Sequence, residues 1–388
     1  MVRPTSQEGD QAMQQCERAM FDLRRGVAII ILAGDGKDAR GEHRIVFPIE
    51  TGTPPSLATL QTEAMAAPSL VISPQRLRML GIADASDCAR LPLDSGDSLD
   101  MDVCRQIAFG SPTVDAHQRL PFEQPCDADR AAVALLKRAL LIPAALTAPI
   151  DKRTIDRLVE DRTALDVSVD EVDACVEASA GQLSRISEAD VPLEVATKTR
   201  FILFREPDGL REHMALQIGH PEEWPEAVPV RLHSACLTGD LFGSLRCDCG
   251  EQLRGGVARI AAAGGGVLLY LAQEGRGIGL ANKLRAYTLQ DAGADTIDAD
   301  GTLGFAPDER RYRVAVAMLE QLGVERIRLL TNNPQKLAAI EAGGIEVVDR
   351  EAVYGQLNEH NKRYLQAKAD RSGHLLDEWL GAESEADQ

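Results

Sequence analysis

Apolar residues in the second half of the chain occur in short continuous runs, separated by longer stretches with helical spacing. Short runs of this kind predict buried strands over 228–232, 267–271 and 327–330. The intervening stretches predict helices over 249–263, 280–291 and 308–322. Asn333-Pro334 predicts the start of a further helix, because Pro at the first helical position costs no hydrogen bond. This alternation of strands and helices predicts an α/β fold.

The first half of the chain also mixes both kinds of element. Runs rich in β-branched residues predict strands over 27–32, 44–49 and 70–72. Helices are predicted over 131–146, broken by Pro143 and Pro149, and over 165–186. Apolar stretches at 200–205 and 214–218 flank Pro207-Asp208-Gly209, which predicts a hairpin.

A chain of 388 residues exceeds the usual size of one hydrophobic core, so two domains are expected. The first twenty residues are polar and are predicted to be disordered. We place the domain boundary near residue 190. The predicted divisions are a tail over 1–20, a first domain over 21–190, a second over 191–376 and an acidic tail over 377–388.

The charge balance excludes several classes of protein. Lys and Arg number 42 against 60 Asp and Glu, a net charge of −18, which argues against a general binder of nucleic acid or anionic membranes. No apolar run is long enough to span a membrane, and the N-terminus lacks the apolar core of a signal peptide. We therefore expect a cytoplasmic protein whose eight cysteines are reduced.

Three of the cysteines have metal-ligand spacing. Cys247 and Cys249 form a C-x-C pair that can hold one ion from a turn, and Cys236 can close the site from the preceding strand. Three thiolates suit zinc, and a three-ligand site leaves a position for a water molecule, as in catalytic zinc sites. Two alternatives stay open: a structural site completed by His233, or three buried thiols without metal. The remaining cysteines, Cys16, Cys88, Cys104, Cys126 and Cys175, are expected to be buried or neutral thiols.

A glycine-rich loop follows the strand predicted over 267–271. Gly275, Gly277 and Gly279 lie between that strand and the next helix, where backbone N–H groups and a helix N-terminus can hold phosphate. The alternative is a tight turn that needs glycine for its backbone conformation. Arg231, Arg246 and Arg276 lie near the thiols or this loop in an otherwise acidic chain, which favours binding of an anion.

The motifs together resemble the GTP cyclohydrolase II family in order and spacing over residues 196–376. They are Arg231-Leu-His-Ser-Ala-Cys-Leu-Thr-Gly-Asp, Arg246-Cys-Asp-Cys-Gly, Gln273-Glu-Gly-Arg-Gly-Ile-Gly-Leu, Lys283-Leu-Arg-Ala-Tyr287 and Leu329-Leu-Thr-Asn-Asn-Pro-Gln-Lys336. The resemblance implies the first step of riboflavin synthesis, in which GTP yields a ribosylaminopyrimidinone phosphate, formate and pyrophosphate. It also implies a homodimer that binds one Zn²⁺ per subunit, and Mg²⁺ bridging the GTP phosphates.

The resemblance implies a role for each matching residue. Cys236, Cys247 and Cys249 would bind zinc, whose hydroxide attacks guanine C8 before formate is released. The residues implied to contact GTP are Arg231, Leu232, His233, Ser234, Ala235, Gln252, Glu274, Gly275, Arg276, Thr296, Thr331 and Lys336. Ala235 stands where many family members have Glu, which removes any carboxylate contact from that position.

Three further residues are implied to take part in catalysis. Tyr287 would lie near the guanine and affect completion of hydrolysis, although it also continues an apolar stripe with Leu280 and Leu284. Asp308 would be the proton acceptor. Arg310 would either attack the α-phosphate, with Asp308 in the same first helical turn taking its proton, or stabilise phosphate charge. Without the resemblance, this pair is an acid on a helix dipole beside a solvated arginine.

Residues 18–150 resemble a degenerate 3,4-dihydroxy-2-butanone-4-phosphate synthase. In place of that family's acidic, Mg²⁺-binding loop stands Ala33-Gly-Asp-Gly-Lys-Asp-Ala-Arg-Gly-Glu-His43, which lacks several carboxylates. We therefore expect an inactive domain that supports dimerisation or regulation. The alternatives to a GTP cyclohydrolase II alone are a bifunctional enzyme that also makes the butanone phosphate, and a non-catalytic, zinc-stabilised nucleotide-binding regulator.

Overall fold

The computed structural model describes residues 6–34, 42–52, 54–82, 85–93, 100–111, 120–178 and 182–355. The α-helices of these residues are α1 (Ser6–Arg24), α2 (Pro54–Glu63), α3 (Pro74–Met79), α4 (Met101–Phe109), α5 (Asp127–Arg138), α6 (Lys152–Glu160), α7 (Val169–Ala178), α8 (Leu237–Asp240), α9 (Cys249–Ala262), α10 (Leu280–Asp291), α11 (Thr296–Thr302), α12 (Arg313–Gln321) and α13 (Pro334–Ala342). None of these helices is long and apolar enough to cross a membrane.

The strands of the described residues are β1 (Ile29–Leu32), β2 (Arg44–Pro48), β3 (Ser69–Ile72), β4 (Ala89–Pro92), β5 (Ala144–Pro149), β6 (Leu165–Ser168), β7 (Ser184–Asp190), β8 (Thr199–Arg205), β9 (Glu212–Ile218), β10 (Val228–Ser234), β11 (Gly266–Leu271), β12 (Arg326–Leu330) and β13 (Glu346–Glu351). They form two sheets, one in each of two compact units. The predicted mixed α/β fold class with two domains is therefore confirmed.

The first unit contains the described residues up to Ala178 together with Ala281–Glu309. Its six-stranded sheet has the order β4-β3-β5-β2-β1-β6. Only β1 and β6 run parallel, and each other neighbouring pair is antiparallel. The isoleucines of β1 and every residue of β2 are buried, which explains their continuous apolar pattern.

The second unit contains the described residues from 182 to Leu280 and from Arg310 to 355. Its seven-stranded sheet has the order β13-β12-β10-β11-β9-β8-β7. Strands β10 to β13 pair in parallel, and β7, β8 and β9 add an antiparallel edge. Helix α12 packs its buried residues 314–319 into the core beside β10, β11 and β12. The parallel strands β12, β10 and β11 end at one edge of this sheet.

Several boundaries differ from the prediction. The disordered tail is wrong from Ser6 onward, because α1 buries Cys16, Ala19, Met20 and Leu23 at helical spacing. The helix predicted over 131–146 ends at Arg138, since Leu140 is left-handed with φ of 60° and β5 follows Pro143. The predicted tail 377–388 and positions 35–41 of the substituted loop lie outside the described residues.

The helix predicted over 165–186 is three elements. Strand β6 pairs with β1, and Ser168 then begins α7 through a capping box in which Glu171 accepts the Ser168 N–H at 2.7 Å. Strand β7 pairs with β8 in the second sheet, which places the boundary between Ala178 and β7 instead of near 190. Residues 281–309, predicted to belong to the second domain, pack with the first unit.

Candidate active site

The predicted site residues of the second unit gather at the carboxyl ends of three adjacent parallel strands. His233 and Ser234 end β10, Glu274 follows β11, and Thr331 follows β12. Ligands of α/β proteins bind at this edge, because the loops that leave neighbouring parallel strands meet there. The hydrophobic runs that predicted the three strands therefore also placed these side chains.

The three predicted zinc ligands converge. The sulfur atoms of Cys236, Cys247 and Cys249 all lie within 4.8 Å of one another, and those of Cys236 and Cys247 are 3.6 Å apart. The hydrogen bond with the Cys236 thiol raises the pKa of Cys247, so a cation is needed to draw the cluster into its thiolate form. A Cβ on Gly239 would lie 2.7 Å from the Cys247 sulfur and 3.1 Å from that of Cys236. Three soft donors around a space that glycine keeps open fit zinc.

His233 does not belong to the sulfur cluster. Its Nε2 lies 3.1 Å from Asp240 Oδ1, its ring stacks on Tyr270, and burial lowers its pKa, which fits a neutral imidazole donating to the carboxylate. Among the described residues, the group of converging metal ligands contains the three cysteines alone. The alternative of a four-ligand structural site completed by His233 is therefore wrong.

Asp240 is a buried organising residue that sequence reasoning missed. Its Oδ2 accepts hydrogen bonds from the Cys236 N–H at 2.9 Å and the Tyr270 hydroxyl at 3.0 Å, in addition to the contact with His233. Burial and the neighbouring carboxylate raise the pKa of Tyr270, so its hydroxyl stays protonated as the donor. The only signal in the sequence was the position of Asp240, four residues after Cys236 and within the quoted motif.

Arg231 is a buried cation held against α9. Its Nη2 donates to Gln252 Oε1 at 2.8 Å and its Nη1 to the Leu330 carbonyl at 3.3 Å, while Nε has no hydrogen-bond partner among the described residues. Burial lowers its pKa to about 10, so the guanidinium remains charged at neutral pH. A Cβ on Gly256 would lie 2.5 Å from Arg231 Cδ, so this approach requires glycine. Gln252 thereby links the cation to the helix that begins at Cys249.

The glycine loop is a tight left-handed turn. Gly275 and Arg276 have φ of 61° and 59°, and the N–H groups of Gly277 and Gly279 donate to carbonyls of the same turn. These two amides form hydrogen bonds within the turn. At these two glycines the loop is therefore the tight backbone turn that was the alternative to a phosphate site. Arg276 is a non-glycine residue held in a sparsely populated conformation, which is common at binding sites. Glu274 accepts the Leu237 N–H at 2.6 Å and so joins this loop to the cysteine segment.

Lys336 and Arg310 approach one aromatic ring. The Lys336 Nζ lies 5.9 Å and the Arg310 Cζ 5.4 Å from the centroid of Tyr312, and Lys336 also donates to the Leu232 carbonyl at 2.7 Å. Helix α13 begins at Pro334, as predicted, and the Asn333 side chain caps it by accepting the Gln335 N–H, while Thr331 accepts the Asn333 N–H. Two cationic side chains therefore contact this ring near the ends of β10 and β12.

Asp308 and Arg310 do not share a helical turn. Helix α12 begins only at Arg313, because the Glu309 carboxylate accepts the Ala306 N–H and shapes a loop there. The expectation that places both residues in the first turn of a helix over 308–322 is therefore wrong.

Three predicted residues, Tyr287, Thr296 and Asp308, belong to the first unit. Thr296 begins α11 after its N-cap Asp295. Leu284 is 50% exposed, so Tyr287 does not continue a buried apolar stripe. The Lys283 Nζ lies 5.7 Å from the Tyr287 ring. All five cysteines outside the cluster are buried, as predicted.

Comparison with known proteins bears on the whole chain. The family model for GTP cyclohydrolase II matches residues 184–352. A GTP cyclohydrolase-2 from Xylella fastidiosa (strain Temecula1) is 42% identical over 371 residues, covering 95% of this chain and 89% of that protein. One from Azospirillum brasilense is 42% identical and covers 94% of both chains.

A weaker likeness involves a solved structure. The solved structure of RibBX, a two-domain 3,4-dihydroxy-2-butanone 4-phosphate synthase from A. baumannii, is 16% identical, with a TM-score of 0.31, and covers 88% of this chain and 99% of its own. A TM-score this low does not establish a shared fold, so the resemblance of the first half stays a prediction. The relatives that match nearly the full length do establish the family. This chain belongs to the GTP cyclohydrolase II family of hydrolases.

Proposed function

We propose that this protein hydrolyses GTP to 2,5-diamino-6-(5-phosphoribosylamino)pyrimidin-4(3H)-one, formate and pyrophosphate, as the first step of riboflavin biosynthesis. The observation that supports this most directly is the cluster of three thiols within 4.8 Å of one another, next to the helix that contacts the buried cation Arg231. Cys236, Cys247 and Cys249 would hold one zinc ion per subunit. When bound, zinc would supply Lewis-acid activation of water near neutral pH.

The remaining side chains suit a nucleoside triphosphate. Arg231, Arg276 and Lys336 supply positive charge for phosphates that arrive with Mg²⁺, and charge-assisted hydrogen bonds of this type are strong. The family's further GTP contacts are assigned to Leu232, His233, Ser234, Ala235, Gln252, Glu274, Gly275, Thr296 and Thr331. Asp240 orients His233 and the Cys236 backbone, so the imidazole of His233 and the thiol of Cys236 are held at fixed positions relative to each other.

Asp308 is assigned the role of proton acceptor, Arg310 contact with the α-phosphate, and Tyr287 a place near the guanine. A guanidinium over an aromatic face is stabilised in its cationic form, and Arg310 lies 5.4 Å from the Tyr312 centroid. We therefore favour stabilisation of phosphate charge by Arg310 over nucleophilic attack, because attack requires loss of its proton.

The first half of the chain is proposed not to make the butanone phosphate. Arg44, which directly follows the substituted loop, is 2% exposed, and its Nε lies 3.1 Å from Asp129 Oδ1 and 3.0 Å from Thr147 Oγ1. The sequence of the loop lacks several of the carboxylates that Mg²⁺ needs, and the guanidinium beside it is already paired inside the unit.

The test is incubation of the purified, zinc-loaded full chain with GTP and Mg²⁺, followed by mass spectrometry for formate, pyrophosphate and the pyrimidine. We expect all three products, and Cys247→Ser should lose both bound zinc and formate production. Wild type that binds zinc and GTP without releasing formate would support the non-catalytic regulator. Ribulose 5-phosphate in a parallel reaction should give no butanone phosphate, and its formation would establish the bifunctional alternative. The homodimer is tested by sedimentation of the same sample.

A further inference from the structure

The segment 281–309 carries three of the proposed site residues, yet it packs with the first half of the chain. At its start, Asn282 is fully buried and its Nδ2 donates to the Leu140 carbonyl at 3.0 Å. One turn later, Arg285 Nη2 lies 2.8 Å from Glu50 Oε1, while the other Glu50 oxygen accepts the Ile142 N–H. Asn282 and Arg285 therefore hold the first turn of α10, which precedes Tyr287.

The middle of the segment fits closely against α3. Ser73 Oγ donates to the Gly304 carbonyl at 2.7 Å, and Arg76 Nη1 donates to the Thr302 carbonyl at 3.2 Å. A Cβ on Gly304, whose φ is 87°, would lie 2.8 Å from Ser73 Oγ, so the approach needs glycine. These contacts fix the carboxyl end of α11, the helix that begins at Thr296.

Arg76 is a buried clamp with an unusual set of partners. It is 1% exposed, and besides Thr302 it donates to the carbonyls of Gln106, Ile107 and Gly110 at 2.8 to 3.0 Å. These carbonyls belong to the carboxyl end of α4, which attracts a cation through the helix dipole. Arg76 thus joins the ends of α4 and α11 and leaves α11 little freedom to shift.

The end of the segment is held by an ion pair. Lys137 Nζ from α5 lies 2.6 Å from Glu309 Oε1, and both side chains are 22% exposed. The same Glu309 oxygen accepts the Ala306 N–H at 2.8 Å. Lys137 therefore fixes the loop at the residue that follows Asp308.

We propose that the first half of the chain is a positioning domain for the cyclohydrolase reaction, in which Glu50, Ser73, Arg76 and Lys137 hold the segment that carries Tyr287, Thr296 and Asp308. This inference rests on the proposed function, which gives those three residues their roles. It assigns the first half a task that needs no active site of its own. The four holding residues are positioning residues, because each acts through the backbone or a side chain of the segment.

The expected effect falls on the chemical step. A displacement of about 1 Å in a reacting group can cost about 100-fold in rate, whereas binding through other contacts changes little. Loosening the loop at Glu309 should therefore lower kcat for formate release by about tenfold and leave KM for GTP within about twofold.

The experiment uses the zinc-loaded full chain with Lys137→Met, Glu309→Gln and the double variant. Both single variants should show the fall in kcat, the double variant should be no worse than either single variant, and Lys137→Arg should restore activity. Lys152→Met is the matched control, because the Lys152–Asp156 pair of the same unit is exposed. In hydrogen exchange, amides of 302–309 should exchange faster in Lys137→Met than in the control.

Three outcomes would overturn the proposal, and they differ. Active wild type with unchanged kcat in Lys137→Met and Glu309→Gln would remove the positioning role alone. If Lys137→Arg lost as much kcat and as much unfolding free energy as Lys137→Met, the kcat loss would reflect folding of the unit and not the position of the segment. Wild type without formate release would remove the proposed function and the positioning role together, even if hydrogen exchange changed as expected.

Discussion

Each of the two units contains a polar cluster, and the two clusters differ in the charges of their members. In the first unit the guanidinium of Arg44 meets the carboxylate of Asp129, with Thr147 bonded to both. In the second unit the thiols of Cys236, Cys247 and Cys249 meet one another. Opposite charges neutralise each other, whereas three converging thiols are stabilised as thiolates only by a cation from outside.

This difference in charge gives the first cluster a structural role and the second cluster the capacity to bind a metal ion. A carboxylate and a guanidinium that already pair have little capacity left to bind a charged ligand. The sulfur cluster instead has its backbone oriented by Asp240 and its space kept open by Gly239. The first cluster should therefore contribute to stability, and the second to metal binding.

The largest expected effect is on stability and comes from Asp129→Ala. Removing this carboxylate leaves the buried Arg44 with the exposed Glu42, at 2.8 Å, as its one acidic partner among the described residues, and we expect a loss of about 3–5 kcal/mol in the free energy of unfolding. The midpoint of urea unfolding, followed by circular dichroism, measures it. Replacing the pair together, Arg44→Met with Asp129→Leu, should recover only part of the loss, because Asp129 also accepts the Cys126 N–H and the Thr147 hydroxyl. An unchanged midpoint in Asp129→Ala would show that the pair is not structural.

A smaller effect is expected from Asp240→Asn, and on zinc instead of stability. The amide keeps the shape of the side chain but weakens the acceptor that orients Cys236 and His233, so zinc affinity should fall by about 10- to 100-fold. Competition with a fluorescent chelator measures it, and Asp349→Asn, an exposed carboxylate of the same unit, should change nothing. Zinc binding as tight as in wild type would make Asp240 a merely structural residue.

The features of the molecule that depend on local sequence pattern were predicted correctly. The strands β10, β11 and β12 were predicted within two residues of their ends, because buried parallel strands give continuous apolar runs. The convergence of three cysteines was predicted correctly because all three lie within fourteen residues of sequence, from Cys236 to Cys249. The start of α13 was correct because Asn333-Pro334 is a local capping signal.

The parts that depend on distant contacts were not predicted. Asp240 and Tyr270 are thirty residues apart, and their hydrogen bond exists only once β11 lies beside β10. Likewise, nothing in the spacing of 281–309 indicates that it is held by Arg76 and Lys137, which are 226 and 172 residues away from their partners Thr302 and Glu309. The start of α12 was wrong because Glu309 bonds to the Ala306 backbone instead of continuing a helix.

The smallest expected effect is on GTP binding and stability, and it comes from two adjacent glycines of α9. These glycines differ in which atoms a side chain at their position would contact. A Cβ on Gly256 would lie 2.5 Å from Arg231 Cδ, whereas one on Gly255 would meet no heavy atom within 4 Å. Gly255→Ala should therefore stabilise the protein by about 0.4–1 kcal/mol, because alanine restricts the unfolded chain, and leave KM for GTP unchanged.

Gly256→Ala should displace the guanidinium of Arg231 and raise KM for GTP by about three- to tenfold, equivalent to about 1 kcal/mol of overpacking. Steady-state kinetics of formate release by both variants, with urea unfolding alongside, makes the comparison. A raised KM in Gly256→Ala alone ties GTP binding to the position of Arg231, since the two variants differ only in which side of one helix receives a methyl group. An equal KM in both would mean that Arg231 is held in place for folding, and that the charge for the triphosphate comes from Arg276 and Lys336.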